Sequence, residues 1–222
     1  MTAPAVRELL AALVPPGAVV GDEHGRVRAF DTSAWLYYRP QRAEWQRRRA
    51  SACSPVPALG VLDFLLELPA HLPVPVRALP PRDRAMLRTL PPGMVDLVDG
   101  AVVRRIGVPL VPLLAVIVAT DLAGGLERAS RFAAYCPRAV LAERHDPDAL
   151  LEAAYYGIGA YVPGGEAPHT LLQPQPVTDA QPTAAWWRFC EHAYRDLTAV
   201  SRSRDAAEHH RPSPRPPLPE GL

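Results

Sequence analysis

LLAVIVAT, residues 113–120, is the stretch whose reading decides the fold. It is a continuous apolar run rich in β-branched residues, with no alternating polar position. Such a run predicts a strand buried on both faces, at the centre of a sheet with parallel crossovers. The wider apolar frame, Ile106 to Thr120, has 15 residues and carries Pro109 and Pro112. A membrane-spanning helix needs roughly 18 to 20 apolar residues, so a buried strand with a proline-broken approach is the better reading.

Moving outward on the C-terminal side, Asp121 and Gly124-Gly125 are read as a turn. Ala129, Phe132, Ala133 and Cys136 then recur at helical spacing up to Pro137, and Ala139 to Ala142 predicts another strand. Asp146 is placed to cap a helix, with Pro147 at its first position and Asp148 at its positive end. Leu151 and Tyr155 share one face of that helix, and Gly157 is a natural stop. Ile158 to Val162 is a further strand, and PGGEAP turns the chain into Thr170 to Leu172. On the N-terminal side, Asp99-Gly100 between Met94–Val98 and Ala101–Ile106 is a strong hairpin signal.

Farther out, Val6, Leu9, Leu10 and Leu13 predict an opening helix that stops at Pro15-Pro16-Gly17. GAVVGDEHGRVRAF, residues 17–30, suggests a hairpin about its polar, Gly-bearing centre. Gln41 to Ala52 is a basic helix supported by Glu44 before Arg47 and Arg48, and Val61 to Leu68 a buried one. Trp186, Phe189, Cys190, Ala193, Tyr194 and Leu197 make a long helical stripe that should dock on the core. These readings divide the chain into an N-terminal helical and hairpin region (1–69), a proline-rich linker (70–92) with a short helix from Arg82 to Leu90, an α/β core (93–178), a C-terminal helix (182–200) and a disordered tail (203–222).

Composition excludes several chemistries. All 24 basic residues are arginine, and lysine is absent. There is therefore no P-loop lysine, no Schiff-base lysine for pyridoxal phosphate and no kinase-type lysine. Arginine cannot take the Schiff-base role because it stays protonated. Net charge is +1, so no global field favours nucleic acid or membrane. Cys53, Cys136 and Cys190 are odd in number and far apart, which argues against a disulfide framework or zinc site and for a reducing, cytoplasmic setting. The N-terminus reads as an amphipathic helix rather than a signal peptide.

VDLVDGAVVRR, LLAVIVAT, GGLERASRFAAYC, RAVLAE, PDALLEAAYYG and IGAYV, between residues 94 and 172, together resemble the restriction-endonuclease-like, PD-(D/E)xK, superfamily. The resemblance implies an α/β fold: a mixed sheet flanked by helices, here with a helical N-terminal region and a docked C-terminal helix. It also implies a central strand with a carboxylate and a Lys two apart, the carboxylates holding a divalent metal. This chain departs from that pattern, because Ala115 to Thr120 offers neither group.

The expectation is therefore a non-catalytic, nuclease-like interaction or accessory protein with no cofactor, acting with a protein partner in a nucleic-acid-associated assembly. One alternative is an active nuclease that holds Mg²⁺ on Asp96, Asp99 and Asp121. Another is a self-associating structural protein. Trp45, Arg47, Arg48 and Arg49 are the candidate nucleic-acid contacts, with Trp45 stacking on a base. The competing reading is a solvated arginine face with Trp45 packed inward. Cys190-Glu191-His192 looks like ligand chemistry, but on a helix Cys190 belongs to the apolar stripe while His192 points elsewhere.

Overall fold

The computed structural model describes residues 3–15, 17–177 and 182–209. In chain order the elements are α1 (Ala3–Ala12), β1 (Glu23–Ala29), β2 (Thr32–Pro40), α2 (Arg42–Ala50), α3 (Leu59–Glu67), β3 (Pro73–Pro75), α4 (Pro81–Leu87), β4 (Val95–Val98), β5 (Ala101–Arg104), β6 (Leu110–Asp121), α5 (Leu122–Ser130), β7 (Arg138–Arg144), α6 (Pro147–Tyr155), β8 (Gly159–Val162), β9 (His169–Leu172) and α7 (Ala184–His209). The protein is mixed α/β, with a six-stranded sheet ordered β1-β2-β6-β7-β8-β9 and a three-stranded sheet ordered β3-β5-β4. No described helix is long and apolar enough to cross a membrane.

The LLAVIVAT run lies at the heart of β6, between antiparallel β2 and parallel β7. Its alternate residues serve two cores, as the period of a strand requires. Leu114 and Val116 pack with Val6 and Leu10 of α1 and with Leu13 just past it, whereas Ala115 and Ile117 pack with Leu122, Leu126 and Ala129 of α5. The absence of polar residues on β6 follows from cover on both faces. β7 and β8 continue the parallel part through α5 and α6, and β9 closes it antiparallel. Asp146 caps α6 as read, accepting the Ala149 N–H at 2.8 Å, and Gly157 ends the turn with φ +66°.

Four expectations need correction. The first hairpin turns at Phe30-Asp31, both at positive φ, and not at the glycine-bearing centre; Val19 and Val20 are exposed, and the second strand of the hairpin is β2, which lies beyond the expected segment. Gly124-Gly125 is not a turn but the first turn of α5. A Cβ on Gly125 would overlap Val140, so the glycine lets α5 lie close on β7. The Asp99-Gly100 hairpin forms as expected, but it belongs to the smaller sheet and not to that of β6. Residues 70–92 hold the expected short helix as α4, but they also supply the strand β3, which pairs with β5.

A third core lies under the smaller sheet, where Leu62 and Leu65 of α3 meet Val102, Ile106 and Trp187. α7 docks as expected and runs on through residues 203–209, the first part of the expected tail. The rest of that tail, 210–222, lies outside the described residues.

Candidate binding cleft and its basic rim

The sequence-predicted contacts Trp45, Arg47, Arg48 and Arg49 all lie on α2, yet they do not form one exposed surface. Trp45 is half-buried; its Nε1–H donates to the Pro109 carbonyl at 2.5 Å and its ring meets Tyr194 edge-on. Arg48 is 1% exposed. Its Nη1 and Nη2 donate to the two oxygens of buried Glu191 at 2.7 Å each, and its Nε donates to Glu44 at 2.6 Å. Glu191 also accepts the Val56 N–H at 3.0 Å and the Trp187 Nε1–H at 2.9 Å. Burial opposes the Arg48 charge, but Glu191 and Glu44 outweigh it and raise its pKa. Arg47 is held by Glu44 and the Gly93 carbonyl. Of the three arginines, Arg49 is the exposed one.

The three aspartates are also apart in role. Asp96 pairs with Arg105 at 2.6 Å on the surface of the smaller sheet, and Asp99 sits in its turn with φ +50°. Asp121 caps α5 by accepting the Gly124 N–H at 2.8 Å, with Arg144 3.7 Å away. Among the described residues no three His, Cys, Asp or Glu side chains converge to hold a metal ion, so Asp96, Asp99 and Asp121 are not brought together. Cys53, Cys136 and Cys190 are buried free thiols.

A different place gathers the chemistry. At the β1–β2 turn, Phe30 stands at φ +53° and Asp31 at φ +55°. Two positive φ values in a two-residue hairpin normally call for Asn or Gly, and a bulky aromatic there is strained. Its ring is held by packing: it stacks on Tyr135 at 4.7 Å and on Phe189 at 5.8 Å, and meets Phe132 edge-on at 5.3 Å. Arg131 adds a 2.8 Å bond to the Phe30 carbonyl. Tyr135 is positioned from behind, because Trp186 Nε1–H donates to its carbonyl at 2.9 Å.

The rings of Phe30, Tyr135 and Phe189 floor a cleft of about 350 Å³ whose other walls include Asp31, Leu59, Arg188 and His192. Arg188 is exposed and makes no ion pair among the described residues. His192 is half-buried; desolvation, with Arg195 and Arg188 beside it, lowers its pKa, while Asp196 and Glu191 act the other way. Along the same side of α7 a second, separate groove lies between Arg195 and the edge strand β1, lined by Arg26, Arg28 and Ser33. The two elements touch closely here. Gly25 leaves the room that Leu197 occupies, and the Arg28 N–H donates to Asp196 at 2.9 Å. Asp196 also neutralises Arg195 at 3.1 Å. Cleft and groove together present the guanidiniums of Arg26, Arg28, Arg188 and Arg195 against the carboxylates of Asp31 and Asp196.

Nothing local in the sequence marks this site. Phe30, Tyr135 and Phe189 come from three segments more than fifty residues apart, and the one available signal was the pair of arginines at Arg26 and Arg28, which share a strand face. Compared with protein-family models, curated proteins and solved structures, the chain matches none.

Proposed function

We propose that this chain is a nuclease-like scaffold without nuclease chemistry that binds single-stranded nucleic acid as an accessory component of a larger assembly. What supports a restriction-endonuclease-like arrangement is the order of helix, antiparallel strands, central strand, helix and parallel strand in α1, β1, β2, β6, α5 and β7, interrupted between β2 and β6 by α2, α3, α4 and the smaller sheet, with α1 and α5 on opposite faces. What speaks against catalysis of the usual type is β6 itself, since Leu110 to Thr120 carries no ionisable side chain.

The observation that carries the binding reading is the aromatic floor of Phe30 and Tyr135 beside an arginine-rich rim. Unpaired bases stack on aromatic rings at about 1–3 kcal/mol each, and arginines beside the ring meet the phosphates. A duplex hides its base faces, so this geometry selects single strands.

Fluorescence anisotropy with a labelled oligopyrimidine, a matched duplex and a salt series tests the reading. The single strand should bind more tightly, with affinity falling as salt rises. Arg26→Ala/Arg28→Ala should flatten the slope by about 0.7 for each phosphate no longer neutralised. Tyr135→Leu should weaken binding with little change in slope. Absent binding at low salt, or binding indifferent to these variants, overturns it. Cleavage dependent on Mg²⁺ or Mn²⁺ and abolished by Asp121→Ala would overturn the non-catalytic part.

A further inference from the structure

The opposite end of the six-stranded sheet carries a surface of another character. α6 buries Ala149 and Ala153, packs Leu150 half-buried against the core, and leaves its other residues exposed. Leu151 is 70% exposed and Tyr155 81% exposed, one turn apart on a single face, and Tyr156 follows at 51%. The two tyrosine rings meet edge-on at 5.0 Å. A face built of i, i+4 apolar side chains normally looks into a core, but this one looks away from it.

The charged groups around this face have no counter-charge among the described residues. Arg138, at the start of β7, donates from Nη2 to the Tyr156 carbonyl at 2.6 Å. It makes no ion pair among the described residues, and its Nε is buried without a hydrogen-bond partner. Desolvation depresses its pKa, as expected of a guanidinium with no counter-charge. Asp148 and Glu152 lie on the same side of α6 as Leu151 and Tyr155, exposed and likewise without ion pairs among the described residues. The patch thus holds an apolar centre, an unanswered cation at one end and unanswered carboxylates along its length.

We infer that this face of α6 is an isologous interface for a second copy of the chain. A two-fold axis through such a patch brings apolar centre onto apolar centre, and it brings the carboxylates of one copy towards Arg138 of the other. A surface carrying both signs is complementary to itself under that operation, whereas a basic or acidic partner would satisfy one sign and repel the other. The exposed tyrosine and leucine surface is roughly 400 Å² per copy, taking about 200 Å² for a whole ring. Doubled and rimmed by polar groups, that reaches the roughly 1,000 Å² a specific contact needs. The net charge of +1 puts little repulsion between copies. The other end of the sheet differs, because its edge strand β1 shows Arg26 and Arg28, which would face like charges across a two-fold. The inference does not rest on nucleic-acid binding, whose residues lie on β1, the β1–β2 turn, the connection from α5 to β7, and α7.

Sedimentation equilibrium of the full chain, up to about 100 μM, tests it, that range covering the micromolar dissociation expected of a contact near the lower size limit. The expected result is a mass rising from one copy to two. Leu151→Glu/Tyr155→Glu, at positions that touch no core, should stay monomeric with an unchanged circular dichroism spectrum. Glu152→Arg alone should weaken the dimer about tenfold. A wild-type chain that remains monomeric throughout, or a dimer indifferent to these substitutions, overturns the inference.

Discussion

At the residue scale the strongest single commitment is Arg48–Glu191. A fully buried ion pair gains little over well-packed apolar side chains, because desolving two charges offsets their attraction. Breaking it from one side is another matter. Glu191→Ala would leave the Arg48 guanidinium buried and short of two acceptors, and should cost about 3–5 kcal/mol in urea unfolding. Arg48→Met/Glu191→Leu should cost clearly less than that single change; a double variant as unstable as the single would mean that packing, not charge, governs the site. Glu44 adds a pH dependence. Desolvation raises its pKa, but the hydrogen bonds from Arg47 and Arg48 win and the folded value is lowered. A lowered carboxylate stabilises fully above its unfolded pKa, about 4.3, and that share is lost as pH falls through the folded value. Stability should therefore drop below about pH 4, and Glu44→Gln should flatten that acid limb. Glu191 was legible only as part of a Cys-Glu-His string, since nothing in the order of residues shows that it lies opposite an arginine 143 positions away.

At the scale of elements, Gly125 shows how a helix and a strand agree on a distance. Gly→Ala in a helix interior ordinarily gains about 1 kcal/mol. Here the new Cβ would lie 2.9 Å from one Val140 methyl, overlap the other, and stand 3.3 Å from Ala119 Cβ. Overpacking of this kind costs about 1–3 kcal/mol, so Gly125→Ala should lower the melting temperature, and Gly125→Ala/Val140→Ala should recover part of the loss. The same residue explains a misreading. Two adjacent glycines after a strand look like a turn, and only the close approach of β7 reveals them as helix. β6, β7, β8 and α6 were legible because their signals are local: an unbroken apolar run rich in β-branched residues, short apolar stretches at Ala139–Ala142 and Ile158–Val162, and an Asp-Pro cap. β2 was not, because TSAWLYYRP has no clean alternation and its turn carries Phe30 and Asp31 where Asn or Gly would announce it. The aromatic cluster that holds Phe30 in place, and so makes the cleft, is assembled only by the fold.

At the scale of the molecule, α7 decides whether the chain unfolds as one body. Trp187 belongs to the core of α3 and the smaller sheet, while Phe189, Cys190, Ala193 and Leu197, the next turns of the same helix, belong to the core of β1, β6 and α5. The Arg48–Glu191 pair ties α2 to the same stretch. The boundaries drawn along the sequence therefore cross shared cores: Leu62 packs with Val102 and Ile106, and Leu10 packs with Leu114. Residues that share cores this way should melt in a single transition, with tryptophan fluorescence and far-ultraviolet circular dichroism coincident in urea. Trp187→Ala sharpens the test. It removes a fully buried ring, about 3–5 kcal/mol, together with a hydrogen bond to Glu191. If α7 couples the two sheets, both probes should move to the same lower midpoint. If the fluorescence midpoint falls while the sheet's circular dichroism holds its own, the helix is a strap laid over two separable units, and the cleft at its N-terminal end would then open and close independently of β6.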